Sequence, residues 1–151
     1  MPRTSPCLWF DRQAEEAANF YVSVFPNARI KAITHYGEGA PLPAGTVLTV
    51  SFELDGQDYL ALNGGPVFQF SPAISLMVHC QDQAELDDFW HKLSEGGQTG
   101  QCGWLTDRFG LSWQIVPASL PRLMADPARA QRIIKAVMGM TKLDIATLEE
   151  A

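Results

Sequence analysis

The strongest alternation in the chain lies at residues 48–54, where Leu48, Val50, Phe52 and Leu54 interleave with Thr49, Ser51 and Glu53. A period of two with one apolar and one polar face predicts a half-buried strand. Asp55-Gly56 is a hairpin turn signal and predicts that Gln57 to Asn63 returns as a second strand. Upstream, Cys7-Leu8-Trp9-Phe10 reads as a short buried strand and Ala28 to Tyr36 as another. Between them, Ala14, Ala17, Ala18, Tyr21 and Phe25 recur at helical spacing. That spacing predicts a helix over Gln13 to Phe25, with Asp11 as N-cap, Glu15 and Glu16 at the positive end of its dipole, and Pro26-Asn27 ending it. Gly37-Glu38-Gly39-Ala40-Pro41-Leu42-Pro43 is a loop by composition.

The same order then restarts. Ala73 to Cys80 is strand-like, Gln83 to Gly97 is an amphipathic helix ending in a glycine pair, and Trp104-Leu105, Asp107-Arg108-Phe109-Gly110 and Leu111 to Val116 read as strand, turn and final strand. The helices share wording: Gln13-Ala14-Glu15 with Phe20-Tyr21, then Gln83-Ala84-Glu85 with Phe89-Trp90. A repeat fixes architecture, and the unit here is β-α-β-β-β used twice. Beyond Pro117 the stripes Leu120, Leu123, Met124, then Ile133, Ile134, Val137, Met138, then Leu143, Ile145, Leu148 mark two or three short helices. Asp126-Pro127 supplies an N-cap with proline at the first helical position. This tail has no core of its own, so its stripes must pack on the body or on a second subunit.

Composition narrows the function classes. At 151 residues one domain is the default. With 46% hydrophobic and 19% charged residues the chain can bury a core. Its 17 acidic and 11 basic side chains give a net charge of −6 with no basic cluster, which sets nucleic-acid binding aside. No apolar run is long enough for a membrane span and no secretory h-region is present, so a cytoplasmic location is expected. Three cysteines, Cys7, Cys80 and Cys102, lack a C-x-x-C pair and read as reduced thiols in or near the core.

The repeat, together with Cys7-Leu8-Trp9-Phe10-Asp11, Phe20-Tyr21, Leu62-Asn63-Gly64-Gly65-Pro66, Cys102-Gly103-Trp104-Leu105, Asp107-Arg108-Phe109-Gly110 and Ser112-Trp113-Gln114-Ile115-Val116-Pro117, resembles the PhnB-like branch of the vicinal oxygen chelate superfamily. This is the glyoxalase and bleomycin-resistance fold, and the branch is often labelled 3-demethylubiquinone-9 3-methyltransferase. The resemblance implies an α+β fold: two βαβββ modules, about 5–66 and 72–117, forming a curled mixed sheet around a cleft, followed by C-terminal helices at 118–151. It also implies a homodimer that closes the cleft. In metal-dependent relatives four strands each give one ligand, usually His, Glu or Gln. The corresponding positions here are Thr4, Ser75, Gln114 and a residue on the strand 59–63, with His79 as a further inward candidate. At best Gln114 and Asn63 supply two neutral amides, a weak divalent site, so a cleft without metal or other cofactor is expected. The methyltransferase label finds no cofactor motif: Gly37-Glu38-Gly39 is followed by a strand, not by a helix N-terminus.

Parity turns Thr49, Ser51 and Glu53 toward the cleft, and likewise Ser112, Gln114 and Val116, with Trp113 and Ile115 toward the helices. Cys102 and Trp104 share a face, and Trp104 is placed to stack on a planar or cationic guest. The expected ligand-binding set is Thr49, Ser51, Asn63, Ser75, Trp104, Ser112 and Gln114, a mixed lining suited to a small organic molecule. Two functions follow. One is a metal-free binder, similar to the bleomycin-resistance members that sequester a ligand. The other is a small enzyme of the glyoxalase/dioxygenase superfamily, using either a divalent metal in the cleft or Glu53 as general acid or base beside Asn63 and Gln114, with Cys102 as nucleophile. Trp9, Trp90 and Trp113 read as core, and Asp107-Arg108 as a local ion pair or cap.

Overall fold

The protein is described by a computed structural model covering residues 2–151. It divides into two compact units, the first ending at Gln69 and the second running Phe70–Ala151. No helix among the described residues is long and apolar enough to cross a membrane.

The first unit holds β1 (Cys7–Phe10), α1 (Ala14–Val24), β2 (Ala28–His35), β3 (Val47–Leu54) and β4 (Gln57–Asn63), in a four-stranded sheet of order β1-β4-β3-β2. β1 runs parallel to β4, and β3 is antiparallel to both β2 and β4. The alternation in β3 is realised as expected, with Val50, Phe52 and Leu54 buried. They pack under α1, whose buried face of Ala14, Ala17 and Ala18 lets helix and sheet approach closely, with Tyr21 filling the gap beside Phe52 at 6.1 Å between ring centroids. Asp55 and Gly56 both have positive φ, +49° and +81°, as the tightest hairpin turns require. The β2–β3 connection is longer and closes on itself, with Tyr36 N donating to Thr46 O and Gly45 N to Tyr36 O. The Gly37-Glu38-Gly39 stretch therefore lies in a hairpin loop.

The second unit repeats the plan with β5 (Ser75–Cys80), α2 (Gln83–Ser94), β6 (Gln98–Thr99), β7 (Trp104–Thr106) and β8 (Ser112–Pro117), in the order β5-β8-β7-β6. The two-residue β6 is too short to leave a periodic signal, and the sequence reading did not place it. Val78, Cys80, Trp113 and Ile115 are buried, as are Leu86, Phe89, Trp90 and Leu93 of α2. α2 begins on Asp82, whose side chain accepts from Glu85 N at 2.8 Å. The tail forms α3 (Leu120–Leu123), α4 (Pro127–Met138) and α5 (Ile145–Glu150). Leu123, Ile133, Leu143 and Leu148 are buried, while Ile134 and Met138 remain exposed, so its apolar stripes are only partly covered within this unit. Asp126 and Asp144 cap α4 and α5, accepting from Arg129 N and Thr147 N.

Two expectations need correction. Asp11 does not cap α1; the cap position is Gln13, which makes no side-chain bond, and the first helical N–H, from Ala14, is instead met by Asn63 Oδ1 at 2.9 Å. Trp9 is not core. In β1 only Leu8 and Phe10 are buried, and strand parity turns Trp9 to the opposite face.

Candidate functional site

Each sheet lays one face against its helix, and its far face gathers most of the expected site residues. In the first unit, register places Trp9, Leu62, Thr49 and Thr34 in one cross-strand row, then Cys7, Leu60, Ser51 and Ala32, then Asp58, Glu53 and Arg29. Thr49 and Thr34 share a hydroxyl–hydroxyl hydrogen bond of 2.5 Å. Glu53 lies 3.8 Å from Arg29 Nε, and Lys31 Nζ lies 2.9 Å from Asp58 Oδ1, so the charges at this end of the sheet are paired. Glu53 thus stands in a surface ion pair, which gives its carboxylate an ordinary structural partner.

The other end of this face is aromatic. Trp9 Nε1 donates to Gly65 O at 2.9 Å, and Phe68, 62% exposed, meets the indole edge-on at 5.0 Å. Gly64 is required by this corner, because a Cβ there would come within 2.4 Å of the Trp9 ring. Sequence reasoning read Trp9 as core and did not single out Phe68, because the four residues of β1 are all apolar and give no alternation that would turn Trp9 outward.

Asn63 is a correction to the expected binding set. Its Oδ1 accepts from Ala14 N, its Nδ2 donates to Val47 O at 3.0 Å, and it is 2% exposed. Both ends of the amide are spent tying β4 to α1 and β3. Its Oδ1, the donor expected for a weak metal site, is engaged by the helix N–H on the side of the sheet that α1 covers.

In the second unit, Met77, Gln114 and Trp104 form one cross-strand row, with Ser75, Ser112 and Thr106 beside it and His79 and Val116 on the other flank. Gln114 Nε2 donates to Ser75 Oγ at 3.0 Å, which commits the nitrogen end of the amide and leaves Oε1 as its acceptor end. Met77 is 47% exposed, Trp104 half-buried and Ser112 buried. These three rows contain no Asp, Glu, Lys or Arg. Cys102 sits off the strands, in a turn where its φ is +63° and its N–H donates to Met140 O. Of the cysteines, Cys7 is exposed, Cys102 half-buried and Cys80 buried, all unbridged; burial pushes the Cys80 thiol up to about 12.

Asp107 is buried, and its roles are structural. Oδ1 accepts from Phe109 N and Leu111 N, and Oδ2 from Trp113 Nε1 at 2.9 Å, locking the β7–β8 turn to the core indole. Arg108 Nε donates to Glu95 O.

The superfamily's metal positions can be tested on this donor set. Aligning the last buried residues of β1 and β5, Phe10 with Cys80, makes Leu60 of β4 the counterpart of Gln114 of β8. The first unit therefore offers a leucine where the second offers an amide. Among the described residues no three of His, Cys, Asp and Glu are grouped for a metal. Thr4 is exposed and Ser75 Oγ is engaged by Gln114. Neutral amide and hydroxyl oxygens with His79 as a lone imidazole on the flanking row, and no carboxylate beside it, do not fit a divalent ion.

Comparison with known proteins agrees with this architecture. Residues 2–116 match the 3-demethylubiquinone-9 3-methyltransferase family. The chain is 35% identical to the PhnB protein of Bacillus cereus, whose name carries the same methyltransferase description, with a TM-score of 0.70 over 77% of this chain and 98% of that one. A Pseudomonas aeruginosa protein superposes with a TM-score of 0.64 at 21% identity, covering 78% and 97% of the two chains. The FosX fosfomycin resistance protein of Listeria monocytogenes shares the fold at a TM-score of 0.50 and 12% identity, covering 87% and 96%. No curated protein matches the chain. The paired βαβββ units and these similarities lead to one conclusion: the chain belongs to the 3-demethylubiquinone-9 3-methyltransferase family, as a PhnB-like member.

Proposed function

We propose that this protein binds a small, planar, uncharged organic molecule on the far face of its second sheet, without a divalent metal, and works as a homodimer. The observation that carries the reading is the row Met77–Gln114–Trp104. An indole and a thioether supply flat, polarisable contact. Gln114, its nitrogen held by Ser75, presents an oxygen acceptor that selects a ligand N–H or O–H. The absence of formal charge in the surrounding rows favours a neutral guest, since an ion would be desolvated there without a partner.

Thermal-shift titration with matched fragments tests this: benzamide, benzoate and benzylamine, each with and without EDTA. Benzamide stabilises the protein, the two ions stabilise it less, EDTA changes nothing, and Trp104→Ala weakens benzamide by about tenfold, the loss of one stacking contact. Preference for benzoate or benzylamine, failure of all three to stabilise, or a chelator-reversible rise with manganese, nickel or zinc overturns the reading. Sedimentation at micromolar concentration tests the dimer, and a single monomeric species refutes it.

A further inference from the structure

The connection between α4 and α5, residues 139–144, is tied on both sides. On one side, Met140 O accepts from Cys102 N and Thr141 O from Gly103 N, each at 2.8 Å, while Gly103 O accepts from Ile115 N of β8. The Cys102-Gly103 pair is thus held between a sheet strand and the C-terminal segment. Both residues have positive φ, +63° and +81°. For Cys102 that is a left-handed conformation which a side-chain-bearing residue keeps only when its surroundings impose it. A side chain at Gly103 would be strained by its φ and crowded, since a Cβ would lie 3.0 Å from Leu143 Cγ and 3.1 Å from Ile115 O.

On the other side stands Gln83, the first residue of α2. Its Nε2 donates to Leu143 O at 3.0 Å and to Asp87 Oδ1 at 2.9 Å, and its Oε1 accepts from Ile145 N at 2.8 Å. Lys142 Nζ reaches Asp87 Oδ1 at 2.7 Å, and the Lys142 and Gln83 bonds hold the Asp87 carboxyl below its ordinary value. Leu143, 1% exposed, is the apolar plug between the two sides. This strap lies beyond the family match at 2–116.

We infer that Gln83 is a positioning residue: through the strap it holds the Cys102-Gly103 turn, and with it the angle at which Trp104 enters β7. A C-terminal addition to the family's body thereby sets the geometry of a ligand-facing strand. The consequence for ligand binding rests on the function proposed above; the turn itself is read out by a measurement that needs no ligand.

The three cysteines form an internal ruler, Cys7 exposed, Cys102 half-buried and Cys80 buried. Iodoacetamide alkylation of each, followed by mass spectrometry of the full chain under native conditions, compares local with global opening. Gln83→Leu removes the clamp, and the Cys102 rate relative to Cys7 rises by about fivefold to tenfold while Cys80 stays protected. Gln83→Glu keeps the acceptor for Ile145 N but sets a carboxylate oxygen against Leu143 O and Asp87 Oδ1, and raises the same ratio at least as much. Val24→Ala, which loosens the first unit's core, leaves the ratio unchanged. An unaltered Cys102 to Cys7 ratio in both Gln83 variants overturns the inference, and so does a Cys80 rate that climbs in step with Cys102, because that reports unfolding of the whole unit.

Discussion

Asn63 separates a structural from a ligand-contacting role most sharply. Asn63→Leu keeps the side-chain volume nearly constant and removes both polar arms. It strands the Ala14 N–H, on a fully buried residue at the start of α1, and the Val47 carbonyl. A buried backbone group that loses its partner costs roughly 1–3 kcal/mol, and α1 has no side-chain cap from Gln13 to take over. The buried Ala14 N–H at about 2 kcal/mol and the half-buried Val47 carbonyl at about 1 kcal/mol give a loss of about 3 kcal/mol. At roughly 2–4 °C per kcal/mol for a chain of this length, the melting temperature falls by about 6–12 °C. Urea unfolding followed by circular dichroism measures the loss, and benzamide titration of the same sample at a temperature where it is fully folded measures binding. Stability falls and affinity stays within about twofold, a difference of under 0.5 kcal/mol. A variant as stable as the parent but about tenfold weaker for ligand would refute the reasoning and return Asn63 to the binding surface.

Asp107→Asn keeps an acceptor for Phe109 N and Leu111 N but turns an amide donor on the Trp113 indole N–H. A loss of about 2–3 kcal/mol in urea unfolding is expected, partly recovered by adding Trp113→Phe, which removes the opposed donor. Gly64→Ala drives a methyl into Trp9; the indole must leave Gly65 O, which changes its fluorescence emission and destabilises by about 1–3 kcal/mol. The Cys80 thiol stands raised from 9.0 to about 12, so the fold binds this proton more tightly than the unfolded chain does. Its contribution is whole below pH 9 and drains away as pH climbs toward 12. Parent and Cys80→Ala should therefore converge in stability between pH 9 and 10.5 by about 1–2 kcal/mol, and parallel pH profiles would contradict the assignment.

The parts of the fold legible in the sequence are those where a long enough element has one covered face. The eight residues of β3 show their parity because Val50, Phe52 and Leu54 meet α1 while Thr49, Ser51 and Glu53 do not. The repeat was legible for the same reason, each copy carrying a helix whose apolar stripe matches its sheet. The four residues of β1 hold only two alternations, and with Cys, Leu, Trp and Phe all apolar the pattern has no contrast to read, so Trp9 passed as core.

On β4 the contrast runs the other way. Tyr59, Ala61 and Asn63 lie toward α1, while Leu60 and Leu62 lie half-buried on the far face. The alanine face of α1 comes so near the sheet that Ala61 is what fits beneath it, and the helix end demands an amide, so small and polar residues occupy the inside. Leucines on the outer side of a strand, like Met77 and Trp104 in the second unit, serve no solvent-facing purpose. The inverted hydrophobic pattern that hid Asn63 from sequence reasoning therefore comes from how closely α1 sits on β4, which leaves Leu60 and Leu62 on the same face as Trp9.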